Sequence, residues 1–252
     1  MIASLTMYDR PETAAANDHL WTTVRANLNE GPETLTRDGD VWDHWHSPDL
    51  ILAQTCGYPF RAKLHGKVTL VGTPIYDLSD CPDGHYYSVI VARADDPRST
   101  AQEFSEARFA YNEALSQSGW AAPQNHAALN GFAFTNPVQS GAHRNSARMV
   151  ADGRADCASL DALSWKLMQR HDDFAASLKV VEHTAPTPVL PYITAKTRDP
   201  APLFNAMTQA IATLSPADRN ALAIKGITNI PMAQYLAIPN PPPPSVYAAA
   251  QL

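Results

Sequence analysis

The segment from Tyr111 to Trp120 places two hydroxyl side chains and a glycine where a strand-like sequence gives way to a helix-like one. Ser116 or Ser118 can cap the helix, and Gly119 lets another backbone or a ligand approach closely. The first turn of a helix leaves amide N–H groups without partners, and the helix dipole favours negative charge there. This combination suits a small oxyanion, although Ser116 is equally well explained as a helix cap alone.

Strands and helices alternate around this segment in two blocks. The predicted strands are residues 2–8, 50–53, 68–72, 86–92, 107–111, 132–134, 155–160 and 178–181. The predicted helices run through about residue 29, after Ser118, and over 142–152, 161–171 and 202–214, with another from Pro216 capped by Ser215. Such alternation is typical of the α/β class.

The order of the elements predicts two α/β lobes joined by two hinge strands. Two strand-rich stretches, near 85–93 and 188–194, separate the blocks. The first lobe is then discontinuous, comprising residues 1–90 and 195–252, and the second comprises residues 91–194. Because open α/β sheets bind ligands at the carboxyl ends of their strands, we expect a ligand in the cleft between the lobes.

The proline-rich end of the chain favours an extended conformation. Residues 239–244 contain five prolines and one asparagine. Consecutive prolines adopt the polyproline II helix, which has no internal hydrogen bonds. We therefore expect this segment to be a surface tail.

Composition excludes several classes of partner. The 252-residue chain has a formal net charge of −6, which argues against nucleic acid, so an anion site must be built from dipoles and neutral donors. A membrane-spanning helix needs about 18 consecutive apolar residues, and no such run is present. Phosphate-loop and dinucleotide fingerprints are also absent, so we expect no cofactor.

The beginning of the sequence bears on its compartment. Residues 1–8 lead directly into a predicted strand, without a basic segment, an apolar stretch and a cleavage site. This start indicates a cytoplasmic protein, a misassigned start or the mature form of an exported one.

The cysteines leave two interpretations open. Cys56 and Cys81 both lie in loop-like sequence and could form a disulfide closing a loop of about 25 residues, which would indicate an oxidising compartment. Two unpaired thiols are the alternative. Cys157 lies in an apolar run and is expected to be a small buried residue.

Two other groups of reactive side chains have simpler explanations than chemistry. Residues 42–49 hold two histidines and two carboxylates, but a structural zinc site needs four well-separated convergent ligands, so we expect packing here and no metal. Ser118, His143 and Asp161 could imitate a hydrolytic triad. However, the Gly-x-Ser-x-Gly pattern is absent, and anion binding explains the three residues without a catalytic role.

Five stretches of the chain form a series that resembles a known family. They are residues 52–59, 86–91, 112–119, 141–146 and 153–161. Their order and spacing resemble the substrate-binding proteins of phosphate/phosphonate-type ABC transporters, over nearly the whole chain up to about residue 195. The resemblance implies a periplasmic protein of the type II periplasmic-binding-protein fold, whose lobes close on a small phosphonate-like or phosphate-like anion and deliver it to an ABC permease.

The same resemblance implies a set of ligand-binding residues. They are Tyr8, Thr55, Tyr86, Ser88, Ser116, Gln117, Ser118, His143 and Asp161. In this arrangement Tyr8 and Thr55 belong to the first lobe, and Tyr86 and Ser88 lie at the hinge. Asp161 either contacts a positive group on the ligand or supports His143, and it is equally well placed to cap the helix that follows.

Two other functions fit the same fold. One is a cytoplasmic enzyme similar to the thiamine-pyrimidine synthases, which the missing leader favours. The other is a soluble sensor that passes a ligand-induced change to a partner protein. The leading hypothesis remains a non-catalytic binding protein for a small anion.

Overall fold

A computed structural model describes residues 1–248. The strands are β1 (Ile2–Ser4), β2 (Leu50–Gln54), β3 (Val68–Tyr76), β4 (His85–Tyr86), β5 (Ser88–Arg93), β6 (Arg108–Tyr111), β7 (Asn136–Gln139), β8 (Cys157–Asp161), β9 (Leu178–His183), β10 (Thr187–Pro188), β11 (Tyr192–Ala195) and β12 (Ile224–Thr228). The helices are α1 (Ala14–Leu28), α2 (Val41–His46), α3 (Gly57–Pro59), α4 (Ala122–Leu129), α5 (His143–Ala151), α6 (Ala162–His171), α7 (Pro200–Thr213), α8 (Pro216–Leu222), α9 (Met232–Leu236) and α10 (Pro244–Ala248). There are also two π-helical turns: Phe60–Leu64 directly follows α3, and Gln117–Ala121 directly precedes α4.

The chain forms two compact α/β units, which confirms the predicted architecture. The first unit comprises Met1–His85 and Pro188–Ala237, and the second comprises Tyr86–Thr187 and the segment from Ile238 onward. The chain passes between the units first within β4 and then within β10. It passes a third time after α9, where the sequence predicted no crossing.

The first unit is built on a mixed five-stranded sheet of order β1-β2-β11-β3-β12. β1 runs parallel to β2, whereas β11 is antiparallel to both of its neighbours. All five residues of β2 are buried, as the apolar run at residues 50–53 predicts for the first four. Phe60, Ile193 and Tyr235 pack against this strand in one apolar cluster.

The second unit is built on a five-stranded sheet of order β7-β6-β8-β5-β9. β7 and β8 both run parallel to β6, so the carboxyl ends of these three strands meet at one edge of the sheet. β5 is antiparallel to β8, and its first residue, Ser88, pairs with Asp161. The core beneath the sheet includes Val150 of α5 and Trp165 of α6.

Helix capping explains why several helices begin where the sequence predicts. Ser215 accepts a hydrogen bond from the Asp218 N–H at 3.0 Å and is followed by Pro216 in the first turn of α8. Asp199 caps α7 in the same way, with its carboxylate 3.0 Å from the Ala201 N–H. None of the helices formed by residues 1–248 is both long and apolar enough to cross a bilayer.

Two predicted strands are wrong in extent or position. β1 ends at Ser4, and a 3₁₀ turn over Thr6–Tyr8 replaces the rest of the first predicted strand. Residues 132–134 form no strand, because the backbone of Phe134 bonds instead to the Gln124 side chain, at 2.9 Å and 3.2 Å. The strand of that region, β7, begins two residues later. Phe134 stacks on Phe109 at 4.3 Å, so its apolar character reflects core packing.

The expected lobe boundaries also need correction. The crossings fall at 85/86 and 187/188, rather than at 90/91 and 194/195. The proline-rich segment belongs to the second unit, and it is not a tail of the first. It packs there because the Trp120 indole N–H and the Asn125 amide donate to its carbonyl groups, both at 3.0 Å.

The possible disulfide does not form. Cys56, Cys81 and the buried Cys157 are all present as thiols. Burial also raises the pKa of the Cys81 thiol to about 11.

Candidate functional site

Three helices of the second unit begin at the same edge of its sheet. One begins at Gln117 after β6, α5 begins at His143 after β7, and α6 begins at Ala162 directly after β8. The carboxyl edge of parallel strands is where open α/β sheets bind ligands. The structure therefore brings together the predicted residues of these three segments.

The start after β6 is held by a side-chain cap. Ser116 Oγ accepts a hydrogen bond from the Gly119 N–H at 2.9 Å. A Cβ atom on Gly119 would lie 1.9 Å from Asn112 Oδ1, so this position needs glycine to let the Asn112 side chain approach. The close approach anticipated at Gly119 is thus made by the protein itself. Ser116 acts as the helix cap that the sequence allowed.

Ser118 links this helix start to the next one. Its Oγ lies 2.8 Å from His143 Nε2, and its carbonyl oxygen accepts a hydrogen bond from the Ser159 hydroxyl at 2.7 Å. A main-chain hydrogen bond adds to these contacts, because the Gly141 N–H donates to the Asn112 carbonyl at 3.0 Å. These bonds fix the residues before α5 against the end of β6.

His143 is held as a neutral imidazole. Burial lowers the pKa of its ring to about 4, with the main chain of Ser159 acting in the opposite direction. Its Nδ1 atom is buried and has no hydrogen-bond partner in the described part of the chain. A neutral ring carries one N–H, so either His143 or Ser118 can be the donor in the bond that joins them.

α5 is the one of these three helices whose start lacks a side-chain cap. Its N-cap residue is Ala142, which offers no acceptor, and the N–H groups of His143, Arg144 and Asn145 bond to no described residue. Replacing a polar cap by alanine typically costs about 1 kcal/mol of stability. This start therefore keeps unsatisfied donors that an external anion can accept from.

Charged side chains at the same edge are already engaged. Asp161 is buried and caps α6, accepting from the Ser164 N–H at 2.8 Å. Arg144 Nη2 lies 2.7 Å from the Asp172 carboxylate, so the arginine nearest to the start of α5 is held in an ion pair. The donors that remain available there are neutral.

The other predicted residues are distributed over both units. Ser88 is buried and its backbone N–H bonds to Thr184 Oγ1 at 3.0 Å. Tyr86 is also buried, within β4. Gln117 is buried in the turn after Ser116.

Tyr8 and Thr55 lie in the first unit. Tyr8 packs edge-on against Tyr76, with ring centroids 5.4 Å apart. Thr55 follows β2, is fully buried, and its Oγ1 has no hydrogen-bond partner among the described residues.

The geometry does not support a hydrolytic triad. In such a triad a carboxylate bonds to the histidine nitrogen that faces away from the serine. His143 Nδ1 makes no hydrogen bond in residues 1–248, and the Asp161 carboxylate caps α6. As for metals, no group of three or more potential ligands among His, Cys, Asp and Glu is found in the same described residues.

Sequence reasoning missed two residues that shape the site. Asn112 packs on Gly119, and Ser159 bonds to the Ser118 carbonyl from within β8. Asn112 was visible as a polar residue directly after a buried strand. Ser159 gave no signal, because its partner lies 41 residues away in the sequence.

A comparison with family models identifies the class of protein. Residues 49–234 match the family described as "ABC transporter, phosphonate, periplasmic substrate-binding protein". Since the match covers most of the chain, the chain belongs to this family, as the sequence resemblance predicted. No curated protein matches it in a sequence search.

Solved structures of low sequence identity share the fold. PhnD1 from Prochlorococcus marinus, solved in complex with methylphosphonate, is 13% identical over 93% of this chain and 94% of its own, with a TM-score of 0.75. A phosphonate-transporter binding protein from Pseudomonas aeruginosa is 14% identical over 94% and 84%, with a TM-score of 0.72. A Xanthomonas citri protein solved with chloride is 14% identical over 100% and 97%, with a TM-score of 0.68. The fold is that of the type II periplasmic binding proteins.

Proposed function

We propose that this protein binds a small oxyanion of the phosphonate class at the carboxyl edge of the sheet in its second unit. The observation that carries the proposal is the uncapped start of α5, whose first residue, His143, is joined to Ser118 at 2.8 Å. The ligand oxygens accept from the N–H groups of residues 143–145 and from the Ser118 hydroxyl. When His143 donates through Nε2, the hydroxyl proton of Ser118 is available to the ligand.

Neutral donors are sufficient for this task. A hydrogen bond to a charged group contributes about 1.5–3 kcal/mol, and a helix dipole adds about 0.3–1 kcal/mol. The engaged Arg144 means that binding depends on dipoles and N–H groups rather than on a cationic clamp. Such a site favours small anions that fit the turn over large polyanions.

Family membership supports three further parts of the proposal. The ligand is delivered to an ABC permease, the protein works in the periplasm, and it releases its ligand chemically unchanged. The match to a family of periplasmic transporter proteins supports all three. Fractionation of cells that express the natural gene tests the location, and recovery with cytoplasmic markers would contradict it.

Calorimetry with the full chain tests the binding function. The panel comprises methylphosphonate, phosphate, phosphite, sulfate, chloride and acetate, with recovered ligand analysed for chemical change. We expect saturable heat with methylphosphonate and weaker or no heat with acetate. If none of the oxyanions binds, the proposed function is wrong, and a consumed ligand would indicate an enzyme instead.

A pair of serine variants tests the assigned site. Ser118→Ala removes the hydroxyl that lies against His143 and should weaken methylphosphonate binding by about 1–3 kcal/mol, roughly 5-fold to 150-fold. Ser105→Ala is the matched control, because Ser105 precedes β6 and so lies toward the opposite edge of the same sheet. Equal dissociation constants for the two variants would remove Ser118 from the site.

A further inference from the structure

Three contacts of the C-terminal segment 238–248 with the rest of the second unit involve Asn125 and Trp120. The Asn125 side-chain amide donates to the Pro239 carbonyl at 3.0 Å, and the Trp120 indole N–H donates to the Pro242 carbonyl at 3.0 Å. Farther along, the Tyr247 ring lies 5.9 Å from the Trp120 ring at an interplanar angle of 65°. Two of these contacts are thus made with one side chain, that of Trp120.

Trp120 belongs to the turn that carries the proposed anion site. It follows Gly119 in the π-helical turn Gln117–Ala121, and its backbone N–H donates to the Ser116 carbonyl at 3.2 Å. Its side chain is completely buried. On the strand side it packs against Tyr111 of β6, with ring centroids 5.1 Å apart. The indole therefore connects the C-terminal segment, β6 and the Ser116–Ser118 turn.

The proline run is chemically suited to this contact. Prolines have no N–H, so residues 241–244 present carbonyl groups and no backbone donors of their own. Its restricted backbone also loses little conformational entropy when it is fixed against a partner. A tryptophan indole, which is a donor only, is the complementary partner for such a carbonyl.

We propose that Trp120 is a positioning residue for the anion site and that the C-terminal segment 238–248 holds it in place. The inference rests on the proposed function, since it concerns the same turn. Trp120 does not touch the ligand in this arrangement. It fixes the turn from which Ser118 reaches His143, and the segment closes over the indole from the other side.

Replacing one indole by a phenyl ring tests this role in the full chain. Trp120→Phe keeps an aromatic ring and removes the N–H that bonds to Pro242. The matched control is Trp165→Phe, because Trp165 is a buried tryptophan of the same unit that lies in the core beneath the sheet. Asn125→Ala, at a half-buried residue, loosens the segment at Pro239 and serves if Trp120→Phe does not fold.

Two measurements are made on each variant. Hydrogen exchange of the ligand-free protein is followed in peptides that cover residues 117–121 and 238–248, and the dissociation constant for methylphosphonate is measured by calorimetry. We expect faster exchange in both peptides for Trp120→Phe, and for Asn125→Ala, and about fivefold weaker binding or more. Trp165→Phe should change neither peptide nor the dissociation constant, even where it lowers the melting temperature.

The outcomes separate this inference from the proposed function. Unchanged exchange in the 117–121 peptide, or an unchanged dissociation constant with faster exchange, overturns the positioning role. Equal effects of Trp120→Phe and Trp165→Phe also overturn it, because they show general destabilisation. If the wild-type protein binds no oxyanion, the proposed function fails and the positioning role falls with it. Faster exchange for Trp120→Phe alone would then show only that the segment holds the turn.

Discussion

The chain passes from a buried strand into a helix at Thr55–Gly57 in the first unit and at Ser116–Gln117 in the second. In the second unit the cap is a serine hydroxyl bonded to the N–H three residues later, that of Gly119. In the first unit the N-cap residue is Cys56, which makes no side-chain cap. The residue three positions later is Pro59, which has no N–H to offer.

The hydroxyl groups near the two helix starts also differ in their hydrogen bonding. Ser118 Oγ lies 2.8 Å from His143, whereas the buried Thr55 Oγ1 has no partner among the described residues. The second start is therefore organised by the protein's own contacts before a ligand arrives. At the first helix start, the buried Thr55 hydroxyl has no partner among the described residues, which lowers the stability of the ligand-free protein. Two similar strand-to-helix turns are therefore not equally preorganised for binding.

The largest predicted difference between the two starts is their response to acid. The pKa of His143 is lowered to about 4 in the folded protein, so the unfolded chain, with a histidine pKa of about 6.5, binds the proton first as pH falls. Stability contributed by neutral His143 is present above about pH 6.5 and is lost progressively toward pH 4, by an amount on the order of 2–3 kcal/mol. Urea unfolding at several pH values measures this loss.

His143→Gln supplies the control for that measurement. Glutamine does not titrate, so the variant should show a shallower loss of stability over the same pH range. Identical pH profiles for wild type and variant would show that His143 is not held neutral.

The next largest effect concerns the close packing at Gly119. Gly119→Ala places a Cβ atom against Asn112 and should lower the free energy of unfolding by about 1–3 kcal/mol. Gly226→Ala, whose Cβ would be 3.6 Å from its nearest neighbour, is expected to cost less. In an Asn112→Ala background the cost of Gly119→Ala should shrink, and a double-mutant cycle without coupling would contradict the contact.

At Thr55 we expect a substitution to change the free energy of unfolding by a comparable amount but in the opposite direction. Thr55→Val removes a buried hydroxyl without a partner, so the ligand-free protein should be unchanged or more stable by about 1 kcal/mol. Thr194→Val is the matched control in the same sheet, because Thr194 is equally buried but bonds to the Leu50 carbonyl at 3.2 Å. It should be destabilised by about 1–3 kcal/mol. Equal losses in both variants would show that Thr55 is hydrogen-bonded.

The smallest changes in stability are expected from substitutions of the two N-cap residues, Ser116 and Cys56. Ser116→Ala should cost about 1 kcal/mol, because the Gly119 N–H loses its acceptor. Cys56→Ser should bring no comparable gain, since Pro59 has no N–H for the new hydroxyl to accept. Thermal unfolding of both variants measures the difference. A clear gain for Cys56→Ser would show that a different N–H of that turn is available.

Much of the fold was predictable because local signals and tertiary packing agree. The buried apolar strand β2, the Ser215 cap of α8 and the alternation of elements all follow from residues close together in the sequence. Residues 132–134 were wrongly predicted as a strand because three apolar residues in a row can either form a strand or pack individually in a core. The proline-rich segment was wrongly predicted as a surface tail because its sequence does not indicate which groups its carbonyl oxygens bind.

The candidate site was predictable at its helix starts and not in its detail. Ser116 and Asp161 follow predicted strands that the structure contains, so the edge that they share could be inferred from topology. The Ser118–His143 hydrogen bond, the packing of Asn112 on Gly119 and the missing cap of α5 depend on contacts between distant segments. Sequence spacing alone does not determine such contacts.

Amide resonances provide the most direct test of the central claim that the second unit binds the anion. Methylphosphonate is titrated into ¹⁵N-labelled protein, and chemical-shift changes are mapped onto the assigned backbone. We expect the largest changes at Ser118 and at His143–Asn145, and smaller changes in Ser118→Ala at the same subsaturating ligand concentration. Saturable changes centred on Gly57 and Tyr58, with residues 143–145 unaffected, would contradict this claim.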